Sequence, residues 1–215
     1  MNKPKPVIIF DFDGPIADSF EGAFALSQRI SPALTEALYR ERFQHNIHLV
    51  PAHLQLPKDE SIDFDSEYNK YMATLALASH KYDALITLSQ YYEFDVVSGS
   101  HTDTILEFLH RNQVAHLFRD VLGYDFGKSK VERFNYLFER HQVPAAQVNF
   151  ITDTTGDIME AKKVSMGTII AVQDGFHDEQ LLLSASPTHC VPSLAHVPGL
   201  LIPKSAASDV ALIQL

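Results

Sequence analysis

Four aspartates stand directly after two short apolar segments and could share one site. Asp11 and Asp13 follow the first segment, and Asp153 and Asp157 follow the other. Residues i and i+2 of a strand point the same way, so Asp11 and Asp13 can face one site together. Carboxylates about 4 Å apart repel by about 4 kcal/mol at an effective dielectric near 20, so such a cluster requires a cation. Carboxylate oxygens without a neighbouring His or Cys favour Mg²⁺.

A candidate anion site follows a third apolar segment. Ser98 and Gly99 precede a predicted helix, where a hydroxyl and free backbone N–H groups can bind an anion. Ser129 and Glu132 have the capping-box spacing, which predicts a helix from Ser129 and puts Lys130 in its first turn. A cation there opposes the helix dipole, and a nearby anion cluster would explain it. A plain helix cap at Ser98 and a solvated Lys130 are the alternative interpretations.

Short apolar segments alternating with helical patterns would position these residues. Segments 7–10, 94–97, 148–151 and 168–172 are typical of strands buried on both faces. Their alternation with helices predicts an α/β fold with a Rossmann-like three-layer α/β/α core and a parallel sheet. Ligands bind beyond the carboxyl ends of such strands, so the polar motifs should converge on one crevice.

One stretch breaks the alternation and predicts an insertion. From about residue 21 to 90 the chain has helical patterns, a Pro-bearing segment at 50–57 and no convincing buried strand. The helical patterns lie at 23–30, 34–43, 68–77 and 84–91. We therefore predict two parts: an α/β core formed by residues 1–19 and 92–215, and a small α-helical cap formed by 20–91, the inserted region.

The amino-acid composition limits the kinds of molecule that the protein is expected to bind. The 215 residues include 17 basic and 27 acidic side chains and carry a net charge of −10, which disfavours nucleic acid. The single cysteine, Cys190, allows no internal disulfide and suits a reducing cytoplasm. The apolar segment near the start is too short for a signal peptide, and no stretch suits a membrane span. We expect a cytoplasmic protein that binds neither nucleic acid nor membrane.

The order of these motifs along the chain resembles the haloacid dehalogenase superfamily. The resemblance covers residues 7 to about 172, and the phosphoglycolate phosphatase-like branch is closest in layout. The inserted region matches the helical cap of that superfamily. The residues that carry the resemblance are Asp11-Phe12-Asp13-Gly14, Ser98, a lysine, Asp153 and Asp157.

The resemblance implies a role for each aspartate. Asp11 would be the nucleophile that forms an aspartyl-phosphate. Asp13 would protonate the leaving oxygen, then activate water, and would also bind Mg²⁺ through its backbone carbonyl. Asp153 would ligate Mg²⁺, and Asp157 would ligate it or orient a water molecule. The dehalogenases and pump ATPases of the superfamily lack an aspartate at the Asp13 position, so its presence favours a phosphatase.

The resemblance also implies a phosphate-binding set. Ser98 and the Gly99 amide would bind the phosphoryl oxygens, and a lysine would neutralise Asp11 and the phosphate. Counting back from Asp153, Lys128 matches one spacing found in the superfamily and Lys130 another. We prefer Lys130 because of its place on the predicted helix.

The function implied is a Mg²⁺-dependent phosphatase acting on a small phosphorylated metabolite. Alternatives are a phosphomutase or a phosphonate-cleaving enzyme on the same scaffold, a signalling receiver, and a phosphate-binding protein without turnover. Two positions depart from the superfamily pattern, which usually has threonine at Pro15 and glycine at Thr152. The sequence does not indicate an oligomeric state.

Overall fold

The computed structural model describes residues 5–127 and 129–203 and arranges them around a parallel six-stranded sheet. The strands are β1 (Val7–Phe10), β2 (Glu93–Val97), β3 (Phe118–Leu122), β4 (Val148–Thr152), β5 (Thr168–Val172) and β6 (His189–Val191). Their order across the sheet is β3-β2-β1-β4-β5-β6, and every neighbouring pair is parallel. The predicted Rossmann-like α/β fold is confirmed, with β1 at the centre of the sheet.

Helices cover both faces of this sheet. The helices of the described residues are α1 (Phe20–Ile30), α2 (Glu36–Arg42), α3 (Phe64–Met72), α4 (Ser79–Ser89), α5 (Thr102–Arg111), α6 (Lys130–His141), α7 (Thr155–Lys163), α8 (Glu179–Ser184) and α9 (Val197–Leu201), of which α4 to α9 pack on the sheet. One core cluster joins Ile8 and Phe10 to α4, α5 and α9. The other joins Val7 and Ile9 to α6, α7 and α8. Successive residues of β1 therefore enter opposite cores. Within the described residues, no helix has the length and apolar character to cross a membrane.

Two strands that the apolar pattern does not predict lie at the edges of the sheet. Among the described strands, β3 pairs only with β2 and carries Arg119 and Asp120, and β6 pairs only with β5 and has three residues. An edge strand is solvated along one side, so it lacks the continuous apolar run that marks a central strand. The four predicted strands are all present, and β2 and β4 are each one residue longer than expected.

The inserted region, all of which the structure describes, contains α1 to α4 and no strand. Two short 3₁₀ helices, Ile47–Leu49 and Ala52–Leu54, occupy the Pro-bearing part. Helix α1 packs on α3, whereas α4 contacts α9 and buries Leu85 and Leu88 against the sheet. The division of the chain at 19/20 and 91/92 stays a prediction.

Candidate active site

Asp11 and Asp157 contact the same buried lysine at the carboxyl ends of the central strands. Asp11 follows β1, and Lys130 begins α6 after its N-cap, Ser129. The Nζ of Lys130 lies 2.8 Å from Asp11 Oδ1 and 2.6 Å from Asp157 Oδ2. Thr152, at the end of β4, donates its hydroxyl to Asp157 Oδ2 over 3.0 Å. The structure thus brings three predicted site residues together. Thr152, which stands where the superfamily usually has glycine, hydrogen-bonds to one of them, Asp157.

The other candidate lysine, Lys128, lies outside the described residues. The position of Lys130 agrees with the helix start that the capping pattern predicts, because Ser129 Oγ accepts from the Val131 N–H. The Ser129 hydroxyl also donates to Glu160 on α7. These contacts anchor the start of α6 and with it the backbone that carries Lys130.

Burial and the charge of Lys130 set the ionisation of these groups. Burial raises the pKa of Asp11 well above its usual range, and Lys130 only partly opposes this. Burial would also raise the pKa of Asp157, but the charge of Lys130 together with hydrogen bonds from Asp11, Lys130 and Thr152 outweighs it, and the pKa is lowered. Burial disfavours the Lys130 ammonium, yet Asp11 and Asp157 outweigh it and raise the lysine pKa. Lys130 and Asp157 are therefore a charged pair, and Asp11 needs further positive charge to ionise.

The Asp13 carboxylate is surrounded by four hydroxyl groups. Ser19 Oγ donates to its Oδ1 over 2.7 Å, and the Tyr68 hydroxyl donates to the same oxygen. Ser100 Oγ donates to Oδ2 over 2.6 Å, and Ser98 Oγ lies 3.4 Å from it. Tyr68 belongs to α3, so the inserted region directly contacts this candidate acid/base.

Asp153 occupies a space that only glycines leave open. The carboxylate is fully buried, and the Phe176 N–H donates to its Oδ2 over 2.6 Å. A Cβ added at Gly14 or at Gly175 would lie 2.0 Å from that same oxygen. Its other oxygen, Oδ1, is buried without a hydrogen-bond partner among the described residues. Burial raises the pKa of Asp153 to about 8.

The Ser98 loop follows β2 and is supported by a hydrogen bond from a buried arginine. Ser98 is fully buried, and its Oγ accepts from the Ser100 N–H over 3.0 Å. Arg133 on α6, only 1% exposed, donates to the Ser98 carbonyl. On the other side, His48 Nε2 lies 3.2 Å from the Gly99 carbonyl. The loop therefore contacts both the core and the inserted region.

A small cavity of about 50 Å³ lies where these elements meet. The predicted site residues that line it are Asp11, Asp13, Gly99, Lys130 and Asp157. Ser98 contacts Asp13, and Asp153 is covered by Phe176, whose backbone binds it. The motifs that the sequence places at three separate strand ends thus converge on one crevice.

The carboxylates here fit a hard divalent cation by their chemistry. The candidate ligands are all oxygen donors, and Asp153 Oδ1 is buried with no hydrogen-bond partner in the part of the chain that the structure describes. Burial raises the pKa values of Asp11 and Asp153 even though Lys130 opposes the shift, so a divalent cation would supply the further positive charge that their ionised forms need.

A different acidic group has the tightest metal-like spacing among the described residues. Ligand atoms of Asp95, Asp120 and His141 all lie within 4.8 Å of one another. Asp95 lies within β2, away from the strand ends. Arg119 approaches Asp95 to 2.6 Å, and Arg140 approaches Asp120 to 2.8 Å. Two guanidinium groups already balance the two carboxylates, so we interpret this group as an ion-pair network.

Sequence reasoning missed several side chains that hold the site. Ser100 lies two residues after Ser98, and Arg133 lies one helical turn after Lys130, so proximity to predicted site residues could have indicated both. Tyr68 has no such signal, because only the packing of α3 against the core brings it to Asp13.

Comparison with known proteins identifies the family. The model of the haloacid dehalogenase-like hydrolase family matches residues 8–171, and the chain belongs to that family. Among curated relatives, the phosphoglycolate phosphatase of Vibrio parahaemolyticus is 23% identical, covering 89% of this chain and 93% of the relative. That of Vibrio cholerae is 24% identical, covering 84% of this chain and 90% of the relative. The predicted superfamily and its phosphoglycolate phosphatase-like branch are confirmed.

Solved structures agree on the fold. A haloacid dehalogenase-like hydrolase from Streptococcus pneumoniae superposes with a TM-score of 0.72 at 20% identity, covering 91% of this chain and 98% of the other. A hydrolase from Pseudomonas syringae gives a TM-score of 0.74 at 16% identity, covering 91% of this chain and 98% of the other.

Proposed function

We propose that this hydrolase is a Mg²⁺-dependent phosphatase that cleaves a small phosphate monoester, with Asp11 as nucleophile. The observation that carries the proposal is the Lys130 ammonium between Asp11 and Asp157, 2.8 Å and 2.6 Å away, at the carboxyl ends of central strands. A buried carboxylate beside a fixed cation and an anion-binding loop has the parts needed for phosphoryl transfer. The names of the curated relatives support the same activity.

The reaction has two displacements at phosphorus. An Asp11 carboxylate oxygen bonds to phosphorus while the bond to the leaving oxygen breaks, and Asp13 gives its proton to that oxygen. The products of this half are the free alcohol and an aspartyl-phosphate. Asp13 then takes a proton from water, the water oxygen attacks phosphorus, and inorganic phosphate leaves as the Asp11 carboxylate is restored.

Three groups would hold the phosphoryl oxygens during both steps. The Lys130 ammonium offsets the negative charge of Asp11 and of the phosphoryl group. The Ser98 hydroxyl and the Gly99 N–H donate to phosphoryl oxygens. Arg133 acts indirectly, since its bond to the Ser98 carbonyl fixes the loop that presents these donors.

Asp11, Asp153 and the Asp13 carbonyl would hold Mg²⁺, with Asp157 as a further ligand or as an anchor for a water molecule. When bound, Mg²⁺ supplies positive charge that stabilises the phosphoryl oxygens. The buried Oδ1 of Asp153, which has no hydrogen-bond partner among the described residues, supports this assignment.

The test is release of inorganic phosphate from p-nitrophenyl phosphate with Mg²⁺. Asp11→Asn keeps the shape of the side chain but removes the nucleophile, and turnover should fall at least about a thousandfold. Asp83→Asn, on the exposed surface of α4, is the matched control and should leave turnover unchanged. Undiminished activity in Asp11→Asn would refute the nucleophile assignment.

A further inference from the structure

A second, much larger cavity lies between the inserted region and the loops that follow the strands. Its volume is about 740 Å³, compared with about 50 Å³ for the cavity around Lys130. Asp13, His48, Gly99 and Phe176 line both cavities, so the two are adjacent at the candidate acid/base. An alcohol that leaves from a phosphoryl group beside Asp13 would occupy this larger space.

The volume is far greater than a two-carbon leaving group requires. At roughly 30 Å³ for each separate water molecule, and less for covalently bonded atoms, the five or so non-hydrogen atoms of glycolate fill less than about 150 Å³. A nucleoside with about 18 such atoms fills at most about 540 Å³ by the same measure. Pockets for ligands of that size usually measure about 300–1,000 Å³. The cavity of about 740 Å³ therefore matches the larger class of alcohol.

The walls are rich in aromatic rings. Tyr39, Phe43, Tyr68, Tyr124 and Phe176 all line the cavity. The rings of Phe43 and Phe176 lie 4.6 Å apart, and those of Tyr39 and Phe43 lie 5.1 Å apart. Such rings bury planar groups well, and their contact with a ring on the ligand adds to the stabilisation.

The charges on the walls do not favour a second anionic group. Among the described lining residues, two basic side chains, Arg42 and Lys58, are outnumbered by carboxylates. Besides Asp13, these carboxylates are Asp59, Glu60 and Asp65. The Arg42 guanidinium also donates two hydrogen bonds, of 3.0 Å and 2.9 Å, to one backbone carbonyl. The carboxylate of phosphoglycolate would meet no excess of positive charge there.

We propose that the substrate is a phosphate monoester of an uncharged, ring-bearing alcohol of nucleoside size, and that 2-phosphoglycolate is a poor substrate. This inference rests on the function proposed above. Under it, the larger cavity binds the alcohol, its aromatic walls contact the ring, and Lys130 and the Ser98 loop bind the phosphoryl group.

The first test compares kcat/KM for uridine 5′-monophosphate and 2-phosphoglycolate in Mg²⁺, with p-nitrophenyl phosphate as the reference. We expect at least a tenfold preference for the nucleotide. If 2-phosphoglycolate is turned over equally well or better and p-nitrophenyl phosphate is hydrolysed, the proposed substrate class is wrong, whereas the proposed phosphatase activity stands. If none of the three compounds releases phosphate, the proposed function fails, and this inference fails with it.

The second test introduces a bulky side chain into the larger cavity. Ser27 on α1 lines it, whereas Ala25 on the same helix is exposed and does not. Ser27→Phe should lower kcat/KM for the nucleotide at least tenfold and leave acetyl phosphate, whose leaving group is small, unchanged. Ala25→Phe should change neither. An equal loss for both compounds, or no loss for the nucleotide, overturns the assignment, and Val50→Phe repeats the test from another lining segment should Ser27→Phe not fold.

Discussion

The hydroxyl of Tyr68 donates a hydrogen bond to Oδ1 of Asp13, although the two residues are 55 positions apart. Burial, reinforced by the Asp13 charge, raises the pKa of Tyr68 well above its ordinary value, so the phenol keeps its proton. The inserted region therefore supplies a fixed donor to the proposed acid/base, as well as a wall of the larger cavity.

Removal of this hydroxyl should slow turnover without unfolding the protein. Tyr68→Phe keeps the buried ring and deletes one of the four hydroxyl contacts of Asp13. A hydrogen bond to a charged group contributes about 1.5–3 kcal/mol, so kcat should fall at least about tenfold. Steady-state kinetics and a thermal melt measure the two effects. Tyr71→Phe, whose hydroxyl interacts with the Gly22 backbone, is the control, and an equal loss of kcat there would contradict a specific role for Tyr68.

The metal-free protein should become less stable as the pH rises from about 4 to 8. Burial raises the pKa of Asp153 to about 8, while the unfolded chain has a value near 3.9. Over this interval the folded state retains a proton that the unfolded state has lost, so the free energy of unfolding falls with rising pH. The slope from one such group is at most about 1.4 kcal/mol per pH unit. Asp11, whose pKa is also raised by burial, acts in the same direction.

Urea unfolding in EDTA at several pH values measures that slope. Asp153→Asn removes the titrating group and should flatten the curve, whereas exposed Asp83→Asn should not change it. Because Mg²⁺ binds the ionised carboxylate, its stabilising effect on the natural protein should increase with pH. A wild-type curve that is flat in EDTA, or identical in Asp153→Asn, would contradict this account of the buried carboxylate.

Gly175→Ala should weaken Mg²⁺ binding specifically. The added Cβ would lie 2.0 Å from Asp153 Oδ2, so the carboxylate has to move. We expect the Mg²⁺ concentration for half-maximal activity to rise at least tenfold. Gly199→Ala is a matched control, because a Cβ there meets no atom of residues 5–127 or 129–203 within 4 Å. Equal Mg²⁺ requirements in the two variants would show that the Gly175 space is not needed.

Arg133→Met should impair both stability and substrate binding. The guanidinium donates to the Ser98 carbonyl, which would be left buried without this donor, whereas the Leu122 carbonyl keeps the hydrogen bond from the Ser98 N–H. Loss of such a contact costs roughly 1–3 kcal/mol, which a denaturant titration detects. KM should rise several-fold because the Ser98 loop loses its support, and Arg133→Lys should restore part of it. An unchanged KM in Arg133→Met would show that Arg133 contributes to stability but not to substrate binding.

The sequence was sufficient to place Asp11, Asp13 and Asp153 after strand ends, whereas the structure puts Asp157 in the first turn of α7. The first three follow central strands whose two buried faces require a continuous apolar run, and that run stops abruptly at the site. The parallel topology then brings the ends together, so local pattern and one topological rule were enough.

The other side chains depend on packing that no local pattern specifies. Lys81 shows this clearly: it is fully buried, donates to the Gly14 carbonyl and lies 2.6 Å from Asp18. Its neighbours in α4 include polar and exposed residues, so its burial follows only from where α4 packs. The same holds for Tyr68, whose partner lies on another part of the chain.

The pairing of β1 with β4, in which Val7 lies opposite Val148, has a consequence for how the chain folds. β1 is synthesised before the other described strands, yet its sheet partner β4 emerges only after the inserted region, β2, β3 and α6. Such non-local pairings slow folding and leave apolar strands exposed in the meantime. A nascent chain that ends before β4 carries the Asp11 strand without Asp153 or Asp157. The complete active site should therefore form only late in folding, after β4 has paired with β1.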